Sequence, residues 1–142
     1  MNIKHLSIKL QDACFDGDMG LVKDCAKLGA DINGRVNPER YSPLFVAVGS
    51  MDYDIIRYLL EQRADANHGG SALWSPPHEA IDIEADSTHY GLASIELLVE
   101  YGADVNALEK SGRSPLEITR NYHSKAEDLL RRLGSRPRTF GI

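Results

Sequence analysis

A chain of 142 residues, 42% of them apolar and 26% charged, is long enough for one packed domain and too rich in apolar side chains for a disordered one. No apolar run approaches the roughly 20 residues of a membrane span, and two cysteines are too few for a disulfide framework. The net charge of −5 is uneven, with 8 Lys and Arg against 17 Asp and Glu in residues 1–108 and 8 against 4 in residues 109–142; an acidic body argues against nucleic acid as the main ligand, because phosphate binding needs a positive field.

The opening Met1–His5 has no apolar run behind it, since Lys9, Gln11 and Asp12 interrupt, so no secretory signal is expected and the expected location is cytoplasmic. Ile8, Leu10, Ala13 and Cys14, then Leu21, Val22, Cys25 and Leu28, recur at helical spacing and predict a pair of helices. Gly29-Ala30-Asp31-Ile32-Asn33 closes the pair, and Gly29 suits a left-handed C-cap. Ser42-Pro43 opens the next: serine is an N-cap type, and proline at the first helical position loses an N–H that would be unpaired anyway. Leu44, Ala47 and Val48, then Ile55, Ile56, Leu59 and Leu60, give the second pair. A third pair begins at Ser75-Pro76 and a fourth at Ser114-Pro115, the last carrying Leu116, Ile118, Ala126, Leu129, Leu130 and Leu133. Arg131 and Arg132 near a helix C-terminus suit the macrodipole.

Two markers repeat in phase. The pentapeptide at Gly29 returns as Arg63-Ala64-Asp65-Ala66-Asn67 and as Gly102-Ala103-Asp104-Val105-Asn106, at offsets of 34 and 39 residues. The second marker is Ser42-Pro43-Leu44-Phe45, Ser75-Pro76-Pro77-His78 and Ser114-Pro115-Leu116-Glu117. Together they resemble the ankyrin repeat, a helix pair of about 33 residues with a T-P-L-H opening. The resemblance covers nearly the whole chain. It implies an all-α solenoid of about four stacked helix-turn-helix repeats joined by short β-hairpin loops, in one domain spanning 1–142. The units are placed at about 4–36, 37–69, 70–108 and 109–138, with a basic tail over 134–142.

Several departures stand out. Arg63 occupies the C-cap glycine position and is expected to carry modest backbone strain. Met51 stands where the first repeat has its helix-turn Gly17, and Pro77 replaces a leucine of the motif. The third repeat is long, with extra residues around Glu84–Gly91. Such a loop is a candidate contact site, although neutral surface variation is the favoured reading of it. His68-Gly69-Gly70-Ser71 is read as a flexible loop, not a phosphate cradle.

No catalytic set has a defensible spacing. His78 and Asp82 share a helix face, but the resemblance gives His78 a structural hydrogen bond, and a metal site is the weaker reading. Cys14 and Cys25 hold core positions, where a thiol behaves as a small hydrophobe. Asp31, Asp65 and Asp104 recur with the stack, so they are assigned to hairpin backbone. The expectation is therefore no catalytic residue, no metal and no cofactor.

The resemblance places partner binding on the concave side, at the loop tips and the outer face of the first helices. One residue before each Ser-Pro stand Tyr41, Trp74 and Arg113, the three residue types most enriched at interface hot spots. They are the leading candidates, against the alternative that Tyr41 and Trp74 simply pack on the neighbouring loop. Arg35, Arg40, Leu73, Leu108 and Lys110 on the loops, with Val46, Glu79 and Asp82 on the first helices, are secondary candidates. The expected function is non-enzymatic protein binding by a monomeric stack, with a basic partner and with neither nucleic acid nor membrane. The alternative is an inhibitor, such as a bacterial immunity protein that covers the active site of a basic toxin or enzyme.

Overall fold

A computed structural model describes residues 2–70, 73–84, 90–119 and 124–134. They form helices α1 (Ile3–Asp16), α2 (Met19–Lys27), α3 (Pro43–Gly49), α4 (Tyr53–Glu61), α5 (Pro76–Glu84), α6 (Tyr90–Glu100), α7 (Pro115–Thr119) and α8 (Ser124–Arg132). The first helices stack in the order α1, α3, α5, α7, and the second helices in the order α2, α4, α6. The molecule is thus an all-α solenoid of helix pairs.

The helix starts follow from their caps. Ser42 Oγ accepts from the N–H of Phe45 at 3.1 Å, ahead of Pro43. Ser114 and Glu117 form a reciprocal capping box: the hydroxyl accepts from Glu117 N–H at 3.3 Å, and the carboxylate accepts from Ser114 N–H at 3.1 Å. Asp18 and Asp52, 34 residues apart, cap the second helices α2 and α4 through the N–H groups of Leu21 and Ile55. At the other end, Arg63 takes a φ of 70°, in the left-handed region where Gly29 and Gly102 sit. It allows Ala64 N–H to reach Leu59 O at 2.9 Å, as Ala30 reaches Cys25 and Ala103 reaches Leu98. Met51 likewise takes a φ of 58° in place of a glycine.

The core lies between the two rows of helices, with Leu10, Leu44, Ile55, Ile56, Leu59, Ile95, Leu98 and Leu130 fully buried. Cys14 and Cys25 are buried there as free thiols. Burial, with the charge of Asp52 and the second thiol, pushes Cys14 up to about 12. Ile8 and Leu28, expected inside, are exposed. The buried stripe of α1 runs through Leu6, Leu10, Ala13 and Cys14, and Ile8 falls off it; Leu28 lies past the end of α2. Pro77 is buried despite its departure from the motif.

The connections between repeats, which we call fingers, differ from the expected β-hairpins: among the described residues they are turns without a strand. Their stitching is sideways and uses side chains. Asn33 Oδ1 accepts from Asp65 N–H at 2.8 Å while its amide donates to Arg63 O at 3.3 Å. Asn67 repeats the pair on Asp104 and Gly102, and Asn106 donates to Gly134 O. The aspartates act as expected within each finger, where Asp31, Asp65 and Asp104 accept from the N–H two residues on.

The glycine pair Gly69-Gly70, read as flexible, is a tight packing point. Both residues are buried. A β-carbon on Gly70 would overlap the Trp74 carbonyl oxygen and lie 2.6 Å from Phe45 Cε2, and one on Gly69 would overlap Ser42 Oγ. Close approach, not mobility, selects glycine here. The insertion of the third repeat lies largely outside the described residues, as do Ser71 and the tail beyond Gly134.

Candidate protein-binding groove

The first helices and the fingers enclose an open groove of about 570 Å³. Its floor comes from α3, through Phe45, Val46 and Gly49. Its walls are Phe15 from the end of α1, Tyr41 and Trp74 from two successive fingers, and Glu79 from α5. A smaller extension of about 430 Å³ shares Phe15, Tyr41 and Val46 and reaches Asp12 and Glu39.

Tyr41 and Trp74 are held in place by hydrogen bonds and ring contacts. Tyr41 donates its N–H to Asn37 Oδ1 at 2.8 Å, and its carbonyl accepts from Gln11 Nε2 at 2.8 Å. Gln11 also donates to Gly34 O at 2.7 Å, tying α1 to the first finger. The Tyr41 ring lies 4.8 Å from that of Phe45. The Trp74 ring lies 5.2 Å from His78, and its indole N–H donates to Glu79 Oε2 at 2.9 Å. Both aromatics therefore pack on the helix that follows them, with half-buried faces left on the groove. Burial pushes the Glu79 carboxyl above its ordinary range, against the lowering pull of the Trp74 hydrogen bond; the nearby charge of Asp82 adds to the rise.

His78 is fully buried and locks two repeats together. Its Nε2–H donates to Arg113 O at 2.8 Å, so Nδ1 is free to accept from the Ser75 hydroxyl at 2.6 Å. The ring is thereby neutral, and burial holds it below the usual imidazole range. These bonds engage both ring nitrogens. Among the described residues no group of three or more His, Cys, Asp or Glu is placed to hold a metal ion.

The groove takes in Tyr41, Trp74, Val46, Glu79 and Lys110 of the sequence candidates. Arg113 lies outside its lining, with Nε 3.5 Å from Glu109. Burial works to raise the Glu109 carboxyl, but the Arg113 hydrogen bonds and charge outweigh it and hold Glu109 low. Arg35 is spent on the fingers, donating to the carbonyls of Arg40 and Gly70. Arg35, Arg40, Leu73 and Leu108 line a fingertip cleft of about 600 Å³ that shares Trp74 with the groove. Leu73 is exposed there with a φ of 66°. Asp82 is exposed and lines neither cavity.

Sequence reasoning missed Phe15 and Asp12. Phe15, 73% exposed, is the largest apolar surface at the groove. Ile8, Asp12 and Phe15 are spaced i, i+4, i+7, which puts them on one exposed face of α1. The 34-residue offset also aligns Asp12 with Val46 and Phe15 with Gly49. That register was the available signal.

Residues 39–70, the segment carrying Tyr41 and the glycine pair, match the sequence profile of the family described as Ankyrin repeat. The chain is built of ankyrin repeats. It is 29% identical over 92% of its length to alpha-latrocrustotoxin-Lt1a of Latrodectus tredecimguttatus, and 37% identical over 68% to the ARF GTPase-activating protein Git of Drosophila melanogaster. To the human ankyrin repeat and SOCS box protein 11 it is 28% identical over 92%. The chain spans only 8%, 13% and 38% of these relatives' own lengths. The last of them is named for the ankyrin repeat, and ankyrin repeats are in general non-enzymatic protein-interaction modules. No described helix is long and apolar enough to cross a membrane.

Proposed function

We propose that the groove between the first helices and the fingers binds a partner protein that presents a basic surface, and that the chain acts by this binding and not by catalysis. The observation that carries this reading is the pairing of Tyr41 and Trp74, each fixed by hydrogen bonds and ring contacts and each lining one shared cavity. Rigid aromatics cost little entropy when they anchor a partner. Phe15 and Val46 supply the apolar area beside them. The groove and its extension also carry Asp12, Glu39 and Glu79, none of them in an ion pair among the described residues. An acidic rim of this kind speeds and orients the approach of a basic partner.

The test is affinity capture from the native cell, with the wild-type chain and with Tyr41→Ala plus Trp74→Ala. Loss of two anchors should weaken a partner by at least ~2 kcal/mol, or about 30-fold, so that it disappears from the double variant. The association should also weaken between 0.05 and 0.5 M salt, as rim charges become screened. A partner retained equally by both proteins removes the groove from the account.

The inhibitor reading is a narrower use of the same acidic surface. It requires that the captured partner be an enzyme or toxin, and that it lose activity in the complex.

A further inference from the structure

The two carboxylate oxygens of Glu79 have unequal surroundings. Oε2 is occupied by the Trp74 indole N–H at 2.9 Å. Oε1 faces the floor of the groove, where a β-carbon on Gly49 would sit 3.9 Å from it. No cation pairs with Glu79 among the described residues. Glu109, on the same groove, is already answered by Arg113. Lys110 is exposed at the finger end and forms no ion pair among the described residues. A half-buried carboxylate without a counter-charge is costly, and its raised proton affinity reports that cost.

The space in front of Oε1 has a definite shape. Gly49 contributes no side chain to the floor, whereas the aligned position of the first repeat holds Phe15. Tyr41 and Trp74 both line the cavity. A ligand suited to this place is long, apolar along its stem and cationic at its tip. A planar tip is better than a spherical one, because it stacks on aromatic faces and meets a carboxylate edge-on. We propose that the anchor this groove takes from its partner is an arginine side chain, its methylenes laid between Tyr41 and Trp74 and its guanidinium paired with Glu79 Oε1. This rests on the groove being the binding surface, and it names the chemistry that the surface selects.

Trp74 is the only tryptophan in the chain, so its indole gives a single ¹H–¹⁵N resonance, one bond away from Glu79. The probes are three capped tripeptides, acetyl-Gly-Xaa-Gly-amide, with arginine, lysine or the uncharged isostere citrulline at the centre. At low salt the arginine peptide should shift the indole resonance saturably, with a Kd near about 1 mM as expected for one side chain. The lysine peptide should bind more weakly and the citrulline peptide at least tenfold more weakly. Glu79→Gln keeps an acceptor for the indole and should lose at least tenfold in arginine affinity. Gly49→Leu fills the floor from a helical position without a backbone clash and should abolish the shift. Equal shifts from arginine and citrulline, or unchanged affinity in folded Glu79→Gln, would overturn the arginine anchor. If a captured partner depends on Tyr41 and Trp74 but not on Glu79, the groove stands and the arginine anchor falls. If it depends on none of them, both fall.

Discussion

His78 ties α5 to the third finger through a neutral ring, and this bond can be weighed by replacement and by pH. In His78→Leu the volume is roughly kept, while two short hydrogen bonds are lost, to Arg113 O at 2.8 Å and from the Ser75 hydroxyl at 2.6 Å. At ~0.5–1.5 kcal/mol each, the pair is worth about 1–3 kcal/mol; leucine recovers some apolar transfer energy and the Arg113 carbonyl keeps the Glu109 N–H at 2.9 Å, so a net loss of about 1–2 kcal/mol is expected at pH 7.5. The pH dependence has a definite sign. The ring's affinity for protons in the fold lies below the ordinary value of 6.5, chiefly through burial and against the pull of the Arg113 carbonyl and the Glu109 charge. As pH falls through 6.5 the unfolded chain therefore binds a proton that the folded chain refuses. Stability from this group is complete above 6.5 and declines below it, by up to about 1.4 kcal/mol per pH unit. Glu79 works in the opposite direction, because its carboxyl is raised in the fold, but it is present in both proteins and cancels in their difference. Urea unfolding followed by far-UV circular dichroism at pH 7.5, 6.5 and 5.5 gives that difference directly. The wild-type advantage should shrink across the series. An advantage that stays constant from pH 7.5 to 5.5 refutes the neutral, buried ring.

Three further outcomes follow from particular contacts. Gly70→Ala forces a β-carbon onto the Trp74 carbonyl and the Phe45 ring, so a loss of about 2–3 kcal/mol and a shifted Trp74 emission are expected in denaturant titrations; an unperturbed variant would mean that the finger is loose. Arg63→Gly removes a side chain from a left-handed turn at φ 70° and should raise the urea midpoint by the equivalent of up to about 1 kcal/mol, with no gain if the strain is absent. Cys14 is pushed up to about 12 and Cys25 is also raised, so neither thiol should react with a disulfide reagent at pH 8 until urea unfolds the chain; stoichiometric labelling of the native protein would contradict their burial.

The fold was legible because its signals are local and periodic. Ser42-Pro43 and Ser114-Pro115 carry their capping chemistry within three residues, and the two marks recur in step. The sideways bonds of Asn33 and Asn67 were less legible: an asparagine beside an aspartate looks like one more turn residue until the next repeat is set beside it. Gly69-Gly70 misled for a similar reason, since glycine selected for close approach and glycine selected for freedom look alike in a sequence. Of the candidate site, Tyr41 and Trp74 were found from their position in the repeat, and Arg113 shared that position. Its side chain nonetheless turns to Glu109, a partner four residues away that the repeat register does not mark. Phe15 was overlooked because it lies off the buried stripe of α1, although the same register that picked out Val46 and Glu79 runs through its helix.

The central claim is that the groove is where a partner binds. Isothermal titration of a captured partner against the wild-type chain and Gly49→Leu tests it most directly, because that substitution fills the cavity at a helical position where the new β-carbon meets only ordinary contact. The expected result is at least a tenfold rise in Kd with an unchanged urea midpoint. Equal affinity for the two folded proteins would contradict the account.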